Sequence, residues 1–319
     1  MLSRTTPAAR LVGVDSGARE DRNVQEPATD ATDSFVRHRK LLFTIAYEML
    51  GSAGDAEDVL QETWLRWIGV DHATVRDHRA YLVRIATRQT LTQLRRLGRR
   101  KESYVGSWLP EPLLTSPDVA EDVELAESVS LAMLLVLETL SPIERAVFVL
   151  REVFDVGYDE IAATVDKSQD AVRQIAHRAR EHVRSRRPRG TVSSAEADRA
   201  LQAFRQAVET GRTDDLLQLI APDVVMIGDG GGVRQAILHP LRGARRVTRL
   251  LTVGLAETTG QLTAESVWIN GWPALILRTD GRIDTVLALR FDDGLITGLY
   301  GIRNPDKLGR LDRETAISR

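Results

Sequence analysis

The stretch "SPIERAVFVLREVFDVGYDEIAATVDKSQDAVRQIAHRAREHVR", residues 141–184, predicts three helices in quick succession. Ser141, with Glu144 three residues later, forms a capping box that starts the first helix. "YDEIAATV" predicts a short second helix, "DKS" a tight turn, and the residues after it a longer third helix. A short helix, a tight turn and a longer helix are the layout of a helix-turn-helix unit.

The third helix has an apolar stripe on one side and polar residues on the other. Its polar residues near the N-terminal end, where such a helix enters a major groove, are Gln169, Asp170, Arg173, Gln174 and His177. Paired hydrogen bonds from Gln or Arg to base edges are worth about 1–3 kcal/mol of discrimination. Arg178, Arg180 and Arg184 are placed to meet phosphates. We therefore interpret this surface as a DNA contact, the alternative being merely exposed polar residues.

A second helical module precedes this one. "DAEDVLQETWLRW", residues 55–67, predicts an amphipathic helix with a polar outer face formed by Asp58, Gln61, Glu62 and Arg66. The next predicted helix turns six arginines towards solvent, namely Arg84, Arg88, Arg95, Arg96, Arg99 and Arg100. Guanidinium groups neutralise phosphates, and the neighbouring Tyr81 and Tyr104 offer rings on which unstacked bases lie. The alternative is a plain amphipathic helix with a solvated face.

Charge is distributed in blocks that the formal net charge of −2 conceals. Residues 84–101 hold seven basic and no acidic side chains, residues 106–127 six acidic and no basic ones, and residues 167–189 eight basic ones against two acids. Two basic helical blocks favour a polyanionic partner.

The absence of cysteine excludes disulfides and thiolate metal sites. No apolar run reaches the roughly 18 residues that a bilayer crossing needs, so we expect a cytoplasmic protein without membrane contact or cofactor.

These motifs, in this order and spacing, resemble a bacterial extracytoplasmic-function (ECF) sigma factor over residues 34–187. The resemblance implies two all-α domains, a helical bundle called sigma region 2 at 34–104 and a helix-turn-helix domain called sigma region 4 at 125–188. It also implies that the acidic linker between them, 105–124, threads a basic channel of the polymerase. Residues 1–33 are expected to be a disordered tail.

The resemblance also implies which residues bind which partner. Core RNA polymerase would be bound by Asp55, Asp58, Gln61, Glu62 and Arg66. The −10 promoter element would be bound and melted by Arg84, Arg88, Gln89, Arg95 and Arg96, where family members often have Asn in place of Gln89. The −35 element would be read by Gln169, Arg173, Gln174, His177 and Arg178.

Residues 194–310 predict a third domain, after a linker at 189–193 and before a tail at 311–319. Helices are predicted at 195–210, 213–220 and 243–258, and strands at 223–228, 262–269, 274–279, 283–291 and 295–302. "NG" and two "DG" pairs between the last four strands are strong hairpin signals. This order of helices and strands predicts a cone-shaped α+β domain, so we expect a multidomain chain. The domain resembles the SnoaL-like family, which includes polyketide cyclases and non-enzymatic modules.

Catalysis by the cone is not expected. A cyclase of this kind needs an acid or base inside the cone, and the candidates are Asp223, Asp229, His239, Asp284 and Asp292. Most of them lie at turns or strand ends, where a turn-forming role explains them. The sequence contains no acid/base pair, nucleophile motif or metal-ligand spacing. A small ligand in the cone remains an open alternative.

Three short strings resemble the marks of a sigma-factor subgroup that carries a SnoaL-like C-terminal extension. They are "WLPEP" (Trp108, Leu109, Pro110, Glu111, Pro112), "DGGG" beginning at Asp229, and "NPDKL" (Asn304, Pro305, Asp306, Lys307, Leu308). In that subgroup Lys commonly follows the glycines, whereas Val233 does so here. The resemblance implies an intramolecular regulator that docks on the sigma domains and linker.

The docking hypothesis places Trp108 against the extension and Glu111 against a basic group such as Lys307. The alternative is that Trp108 only caps the core of the first module. Two other functions stay open: a one-component DNA-binding regulator that senses a ligand in the cone, and a SnoaL-type enzyme with a DNA-binding appendage. Neither explains two basic modules joined by an acidic linker.

Overall fold

The structure is a computed structural model that describes residues 26–101, 104–116, 123–186, 194–210, 212–257 and 259–318. Its first helices are α1 (Glu26–Leu50), α2 (Ala53–Trp67) and α3 (His78–Lys101), with a 3-10 turn at His72–Thr74. The Ser52 hydroxyl accepts a hydrogen bond from the amide of Asp55 and so caps α2. The three helices pack as a bundle around an apolar interior.

The prediction of a disordered tail over residues 1–33 was wrong for residues 26–33, which are helical. Ala31 is buried there, and its carbonyl accepts a hydrogen bond of 2.8 Å from the indole Nε1 of Trp67. A buried Trp needs a partner for its N–H group, and α1 must extend to residue 31 to supply it. Residues 1–25 lie outside the described residues.

The second module contains α4 (Val123–Val129), α5 (Leu131–Leu137), α6 (Pro142–Phe148), α7 (Tyr158–Val165) and α8 (Gln169–Arg184). Both hydrogen bonds of the predicted capping box are present at the start of α6, which continues as a π-helical turn over Val149–Val153. α7 ends at Asp166 in the left-handed conformation, with φ of 53°, and Ser168 caps α8. The predicted helix-turn-helix is therefore confirmed as α7–turn–α8.

The two helical modules share one continuous core. Buried residues of α1 and α3 belong to the same apolar cluster as buried residues of α5, α6 and α8. Leu42 and Ile45 on α1 and Val172 on α8 are all completely buried in it. The helix-turn-helix is thus packed against the first module rather than held at a distance from it.

The C-terminal domain contains α9 (Ser194–Thr210), α10 (Thr213–Leu219), β1 (Ile220–Asp229), β2 (Leu241–Arg242), α11 (Ala244–Ala256), β3 (Leu262–Ile269), β4 (Trp272–Thr279), β5 (Arg282–Asp292) and β6 (Leu295–Ile302). The strand order is β2-β1-β6-β5-β4-β3, with β1 parallel to β6 and the other pairs antiparallel. The predicted helices and strands are present, β1 begins three residues earlier than predicted, and β2 was not predicted. A 3-10 turn follows at Pro305–Lys307.

The three predicted hairpin turns are confirmed. Their central pairs are Asn270–Gly271, Asp280–Gly281 and Asp293–Gly294, and all six residues have positive φ. A type I′ turn requires positive φ at both central positions, and Asn, Asp and Gly tolerate it best.

Both faces of the sheet are buried. Leu275, Leu287 and Leu289 pack on the helices α9 to α11, in the domain's own core. The alternate residues, among them Ile276 and Val286, pack in a separate cluster with linker residue Leu109 and with the start of α5. An antiparallel sheet commonly leaves one face to water, and near-continuous apolar strands indicate two covered faces. Here the helical modules and their linker cover the second face.

Residues 311–318 do not form the predicted free tail. Leu311 and Ile317 are buried, and Ile317 belongs to the core shared by the helical modules. The amide of Thr315 donates to the carbonyl of Leu114 at 2.7 Å, and that of Ser318 to the hydroxyl of Thr44 at 3.2 Å. This segment lies across the linker and reaches α1.

Among the described residues, no helix combines the length and apolar character required for crossing a bilayer.

One buried acid lies beside this junction. Glu48 on α1 is 1% exposed, and its Oε1 accepts a hydrogen bond of 2.8 Å from the Ser128 hydroxyl, whereas Oε2 has no partner. Burial raises the pKa of Glu48 from 4.5 to about 8, against a smaller lowering by the Ser128 hydrogen bond. Glu48 is therefore protonated in the folded chain at neutral pH.

We expect Ile317→Ala to lower the free energy of unfolding by about 2–4 kcal/mol, because it removes a buried side chain from the shared core. Urea unfolding followed by tryptophan fluorescence measures this change. Glu314→Ala, at an exposed position three residues earlier, is the matched control and should change it little. Equal stability of both variants would contradict the packed position of the C-terminal segment.

We expect Glu48 to contribute a loss of stability as pH rises from 4.5 towards 8, because unfolded Glu48 releases its proton in this window while folded Glu48 retains it. The contribution of this one group is on the order of 4 kcal/mol. Glu48→Gln should remove that part of the pH dependence in urea unfolding at pH 5 and pH 8. The exposed Glu160→Gln should keep it, and an unchanged slope in Glu48→Gln would refute the assignment.

Candidate functional site

The three strings marked in the sequence meet at the carboxylate of Asp229, at the end of β1. This carboxylate is 1% exposed and accepts hydrogen bonds from the Tyr104 hydroxyl at 2.6 Å, the Leu109 amide at 2.9 Å and the Gly231 amide at 3.0 Å. Lys307 Nζ forms an ion pair with it at 2.7 Å. The linker, the "DGGG" turn and "NPDKL" are thus held by one buried charge.

Lys307 binds the linker on three sides. Nζ donates to the carbonyl of Leu109 and pairs with Asp229. It also lies 4.5 Å from the ring centroid of Trp108 and 5.1 Å from that of Tyr104, which places a cation against two aromatic rings. Burial and the neighbouring Asp229 carboxylate raise the pKa of Tyr104, so its hydroxyl stays a donor.

Trp108 contacts the extension and the first module together. A Cβ built on Gly51, at the end of α1, would lie 2.6 Å from Cη2 of the Trp108 ring. Gly51 also has a φ of 66°, a left-handed backbone conformation that favours glycine. Both the close approach of Trp108 and the backbone conformation therefore require glycine here. Both interpretations of Trp108, docking on the extension through Lys307 and capping the first module, therefore describe real contacts.

The expected pairing of Glu111 with Lys307 was wrong. Glu111 Oε2 accepts hydrogen bonds from the amides of Ala53 at 2.8 Å and Gly54 at 3.2 Å, at the N-terminus of α2. Its other oxygen lies 3.5 Å from Nε of Arg310. The N-terminal amides of a helix lack partners and attract anions, whereas Lys307 is already neutralised by Asp229.

The linker continues as an extended segment that is joined to the edge strand of the sheet by one isolated bridge. Leu114 bridges antiparallel to Ile269 in β3, and the amide of Thr115 donates to the carbonyl of Trp268 at 3.0 Å. The amide of Asn270 donates in return to the carbonyl of Leu113 at 2.9 Å. An extended segment that pairs with an exposed edge strand is a recurring mode of peptide binding.

Asn270, at the tip of the β3–β4 hairpin, joins three segments. Its Nδ2 donates to the Tyr47 hydroxyl at 2.7 Å and to the carbonyl of Val129 at 2.8 Å, and its Oδ1 accepts from the Leu113 amide at 2.9 Å. The side chain is completely buried. Sequence reasoning identified the Asn–Gly turn but missed this role, because a turn signal does not reveal what the turn contacts.

The predicted polymerase-binding residues lie on α2. Asp58, Gln61, Glu62 and Arg66 are exposed, and Arg66 pairs with Glu62 at 3.2 Å. Asp55 is half-buried and accepts a hydrogen bond of 2.8 Å from Gln93 on α3. Leu65 and Ile68 expose about half of their surface beside this set. The surface is thus mixed polar and apolar.

The predicted −10 residues do not share one environment. Arg95 and Arg96 are exposed, whereas Gln89 is half-buried and Arg84 lies 4.7 Å from the ring centroid of Tyr81. Arg88 instead binds the C-terminal end of α7 in the second module. The side chains of Arg99 and Arg100 lie outside the described residues.

The predicted −35 residues lie together on α8. All five are exposed: Gln169, Arg173, Gln174, His177 and Arg178. Arg173 pairs with Asp170 at 3.2 Å. Arg180, expected to meet phosphates, instead forms two hydrogen bonds of 2.9 and 2.7 Å with Glu152, because this acid of the π turn faces α8. The hydrogen bonds and charge of Glu152 raise the pKa of Arg180.

The candidate acids of the cone have other partners or face solvent. Asp223 and His239 are exposed, and Asp284 pairs with Arg303 at 3.0 Å. Burial acts to raise the pKa of Asp284, but the hydrogen bonds from Arg303 and Thr285 and the positive charges of Arg303 and Arg234 together lower it. Within the described ranges, no group of three or more His, Asp or Glu side chains could hold a metal ion.

We expect Asn270→Ala to destabilise the interface by about 2 kcal/mol or more, because the buried Leu113 amide and Val129 carbonyl lose this partner. The Tyr47 hydroxyl loses one hydrogen bond but keeps the one that it donates to the carbonyl of Glu111. The amides of residues 113–115 should then exchange faster with deuterium. Asp280→Ala, the matched change in an exposed turn of the same type, loses the same turn preference but contacts no helical module. Equal exchange at 113–115 in both variants would rule out a special role for Asn270.

Comparisons with known proteins agree with this architecture. The family model "Sigma-70 region 2" matches residues 35–100, and "Sigma-70, region 4" matches residues 130–183. The ECF RNA polymerase sigma factor SigJ of Mycobacterium tuberculosis is 33% identical over 286 residues, covering 84% of this chain and 90% of SigJ. The probable ECF RNA polymerase sigma factor SigI of the same species is 31% identical over 280 residues, covering 87% and 94% of the two chains.

The similarity extends to the C-terminal domain. The crystal structure of M. tuberculosis SigJ superposes with a TM-score of 0.70 at 30% identity, covering 87% of this chain and 98% of SigJ. Coverage of this extent includes the helical modules and the sheet domain together. The chain therefore belongs to the extracytoplasmic-function family of RNA polymerase sigma factors, and its similarity to SigJ includes the C-terminal domain.

Proposed function

We propose that this sigma factor is regulated by its own C-terminal domain, which holds the linker, residues 105–124, away from RNA polymerase. The binding of Leu109 carries the proposal, since its amide donates to Asp229 and its carbonyl accepts from Lys307. Both backbone groups of this linker residue are therefore occupied. A linker held in this way cannot lie extended along a channel of the polymerase.

The proposed regulatory surface consists of the three strings and not of a catalytic centre. It comprises Trp108, Leu109, Pro110, Glu111, Pro112, Asp229, Asn304, Pro305, Asp306, Lys307 and Leu308. Asp229 is one of the acids that a cyclase could have used, and here its carboxylate binds the linker. We therefore propose that residues 194–310 act by contact, with no catalytic role and no cofactor.

For core RNA polymerase we propose the α2 surface formed by Asp55, Asp58, Gln61, Glu62 and Arg66. Its position supports a link with regulation, because Glu111 of the linker binds the amides at the start of the same helix. Linker release would therefore uncover the N-terminal end of α2. Since the family is one of transcription factors, we propose that polymerase and promoter DNA meet the chain in the cytoplasm.

For promoter DNA we propose two surfaces. The −10 element would contact Arg84, Arg88, Gln89, Arg95 and Arg96 on α3, and the −35 element Gln169, Arg173, Gln174, His177 and Arg178 on α8. The exposure of the whole α8 set supports the second assignment. Residues 34–104 and 125–188 would then act as the two DNA-binding units.

The test is run-off transcription with purified core polymerase and a promoter library. The full chain is compared with Lys307→Gln and with a version that ends before Asn304. Breaking one partner of a buried ion pair costs about 3–5 kcal/mol, so both changes should release the linker and raise initiation severalfold. Arg313→Gln, which removes an exposed positive charge six residues after Lys307 and outside the proposed regulatory surface, is the matched control and should match the wild-type chain.

Each result decides one part of the proposal. Initiation that is the same in all variants would keep the sigma factor and discard regulation through this cluster. No initiation by any version, with the polymerase active on a reference sigma factor, would favour a one-component regulator that binds duplex DNA alone.

A further inference from the structure

The contact between α3 and α7 links the two predicted DNA-binding surfaces directly. Arg88 Nη2 donates to the carbonyl of Ala163 at 2.8 Å and to Oδ1 of Asp166 at 2.7 Å, and Nε donates to the carbonyl of Thr164 at 3.0 Å. Arg88 belongs to the predicted −10 surface. Its three acceptors end the first helix of the helix-turn-helix, only a few residues before the recognition helix α8 begins at Gln169.

The chemistry of this contact matches that of a DNA phosphate. The last carbonyls of a helix lack intrahelical partners and carry the negative end of its dipole. A carboxylate beside them adds a full negative charge, and a guanidinium fork binds carboxylate and phosphate in the same geometry. Asp166 and the end of α7 therefore offer Arg88 an anionic site of the kind that a promoter phosphate would provide.

The ion pair between Arg88 and Asp166 is also weak enough for a DNA phosphate to replace Asp166. The Arg88 side chain is 45% exposed and that of Asp166 is 82% exposed. Ion pairs with this much solvent contribute about 0–1 kcal/mol and are screened by salt. By contrast, the Asp229–Lys307 pair that holds the linker is almost completely buried. The α3–α7 contact thus depends on the rest of the interface to keep the modules together.

Promoter geometry excludes this arrangement from the initiating state. The −10 and −35 elements are about 25 base pairs apart, which is about 85 Å at 3.4 Å per base pair. α8 has 16 residues and is therefore about 24 Å long, and it starts three residues after Asp166, which touches Arg88. One chain in this form cannot read both elements at once.

We propose that Asp166 and the C-terminal end of α7 act as an internal substitute for promoter DNA, which occupies Arg88 and keeps the second module folded back on the −10 surface. The inference rests on the proposed function, since it requires α3 and α8 to bind promoter DNA. It adds a direct contact between the two sigma modules to the control exerted by the extension. Promoter binding and this closed form compete for the same guanidinium group.

The absence of cysteine from the chain allows a clean test. Thr92→Cys, one turn beyond Arg88 on α3, is combined with Lys167→Cys, next to Asp166. The two cysteines are joined by a short bis-methanethiosulfonate, which forms a reducible disulfide with each thiol and releases methanesulfinate. We expect the joined protein to initiate run-off transcription about tenfold less or weaker still, because it cannot leave the closed form. Reduction of the reagent should restore initiation.

Two controls separate this effect from damage to the surfaces. The same double variant with both thiols capped singly should initiate like the unmodified variant. Asp166→Asn removes the charge yet tolerates the left-handed backbone, so it should raise initiation severalfold, most at low salt. Glu160→Gln, an equal change of charge on the exposed side of α7, should not raise it.

The outcomes distinguish this inference from the proposed function. If the joined and the singly capped proteins initiate equally, or if the thiols of the intact chain cannot be joined within one molecule, the closing contact is overturned while the sigma function stands. If even the wild-type chain does not initiate with active polymerase, the proposed function fails and this inference fails with it.

Discussion

The arrangement of the whole chain depends on one buried negative charge. A carboxylate removed from water is costly unless every oxygen is hydrogen-bonded and the charge is paired. Besides the nearby amide of Gly231, Asp229 meets this requirement with three groups from distant parts of the chain, namely the Tyr104 hydroxyl, the amide of Leu109 and the Nζ of Lys307. Separating the linker from the extension would leave this carboxylate and Lys307 to find water or new partners. The pair therefore makes the linker and the extension a single structural unit.

Apolar packing reinforces this unit. The second face of the sheet is closed by linker residue Leu109 and by the start of α5, and the C-terminal segment places Ile317 in the core of the helical modules. Intramolecular contacts of this kind need little intrinsic affinity, because the tether gives an effective concentration of order mM. Opening the chain would expose apolar surface on both sides, so a partner that replaces these contacts, such as polymerase, is the natural competitor.

The contacts that hold the linker and the contact between α3 and α7 differ in burial, and therefore in strength. The contacts that hold the linker are buried, whereas the contact between the two predicted DNA surfaces is exposed. In the proposed closed form, the buried contacts hold the linker, and the exposed contact between Arg88 and Asp166 is the one that promoter DNA would displace once the buried contacts loosen. A regulator with this order of strengths would respond to loss of the linker contacts first and to promoter DNA second.

By itself the sequence determined the local structure and the family. The spacing of apolar residues, the helix-capping residues and the turn residues specified the helix-turn-helix and the three hairpins. These local structures depend on residues only a few positions apart. It also pointed to the three strings that meet at Asp229, although only by resemblance. Only the tertiary structure decided the partners: Glu111 lies on α2 rather than on Lys307, Asn270 joins three segments, and the last residues are packed. Such contacts join residues 58 to 274 positions apart, and no local pattern records which surfaces a folded chain brings together.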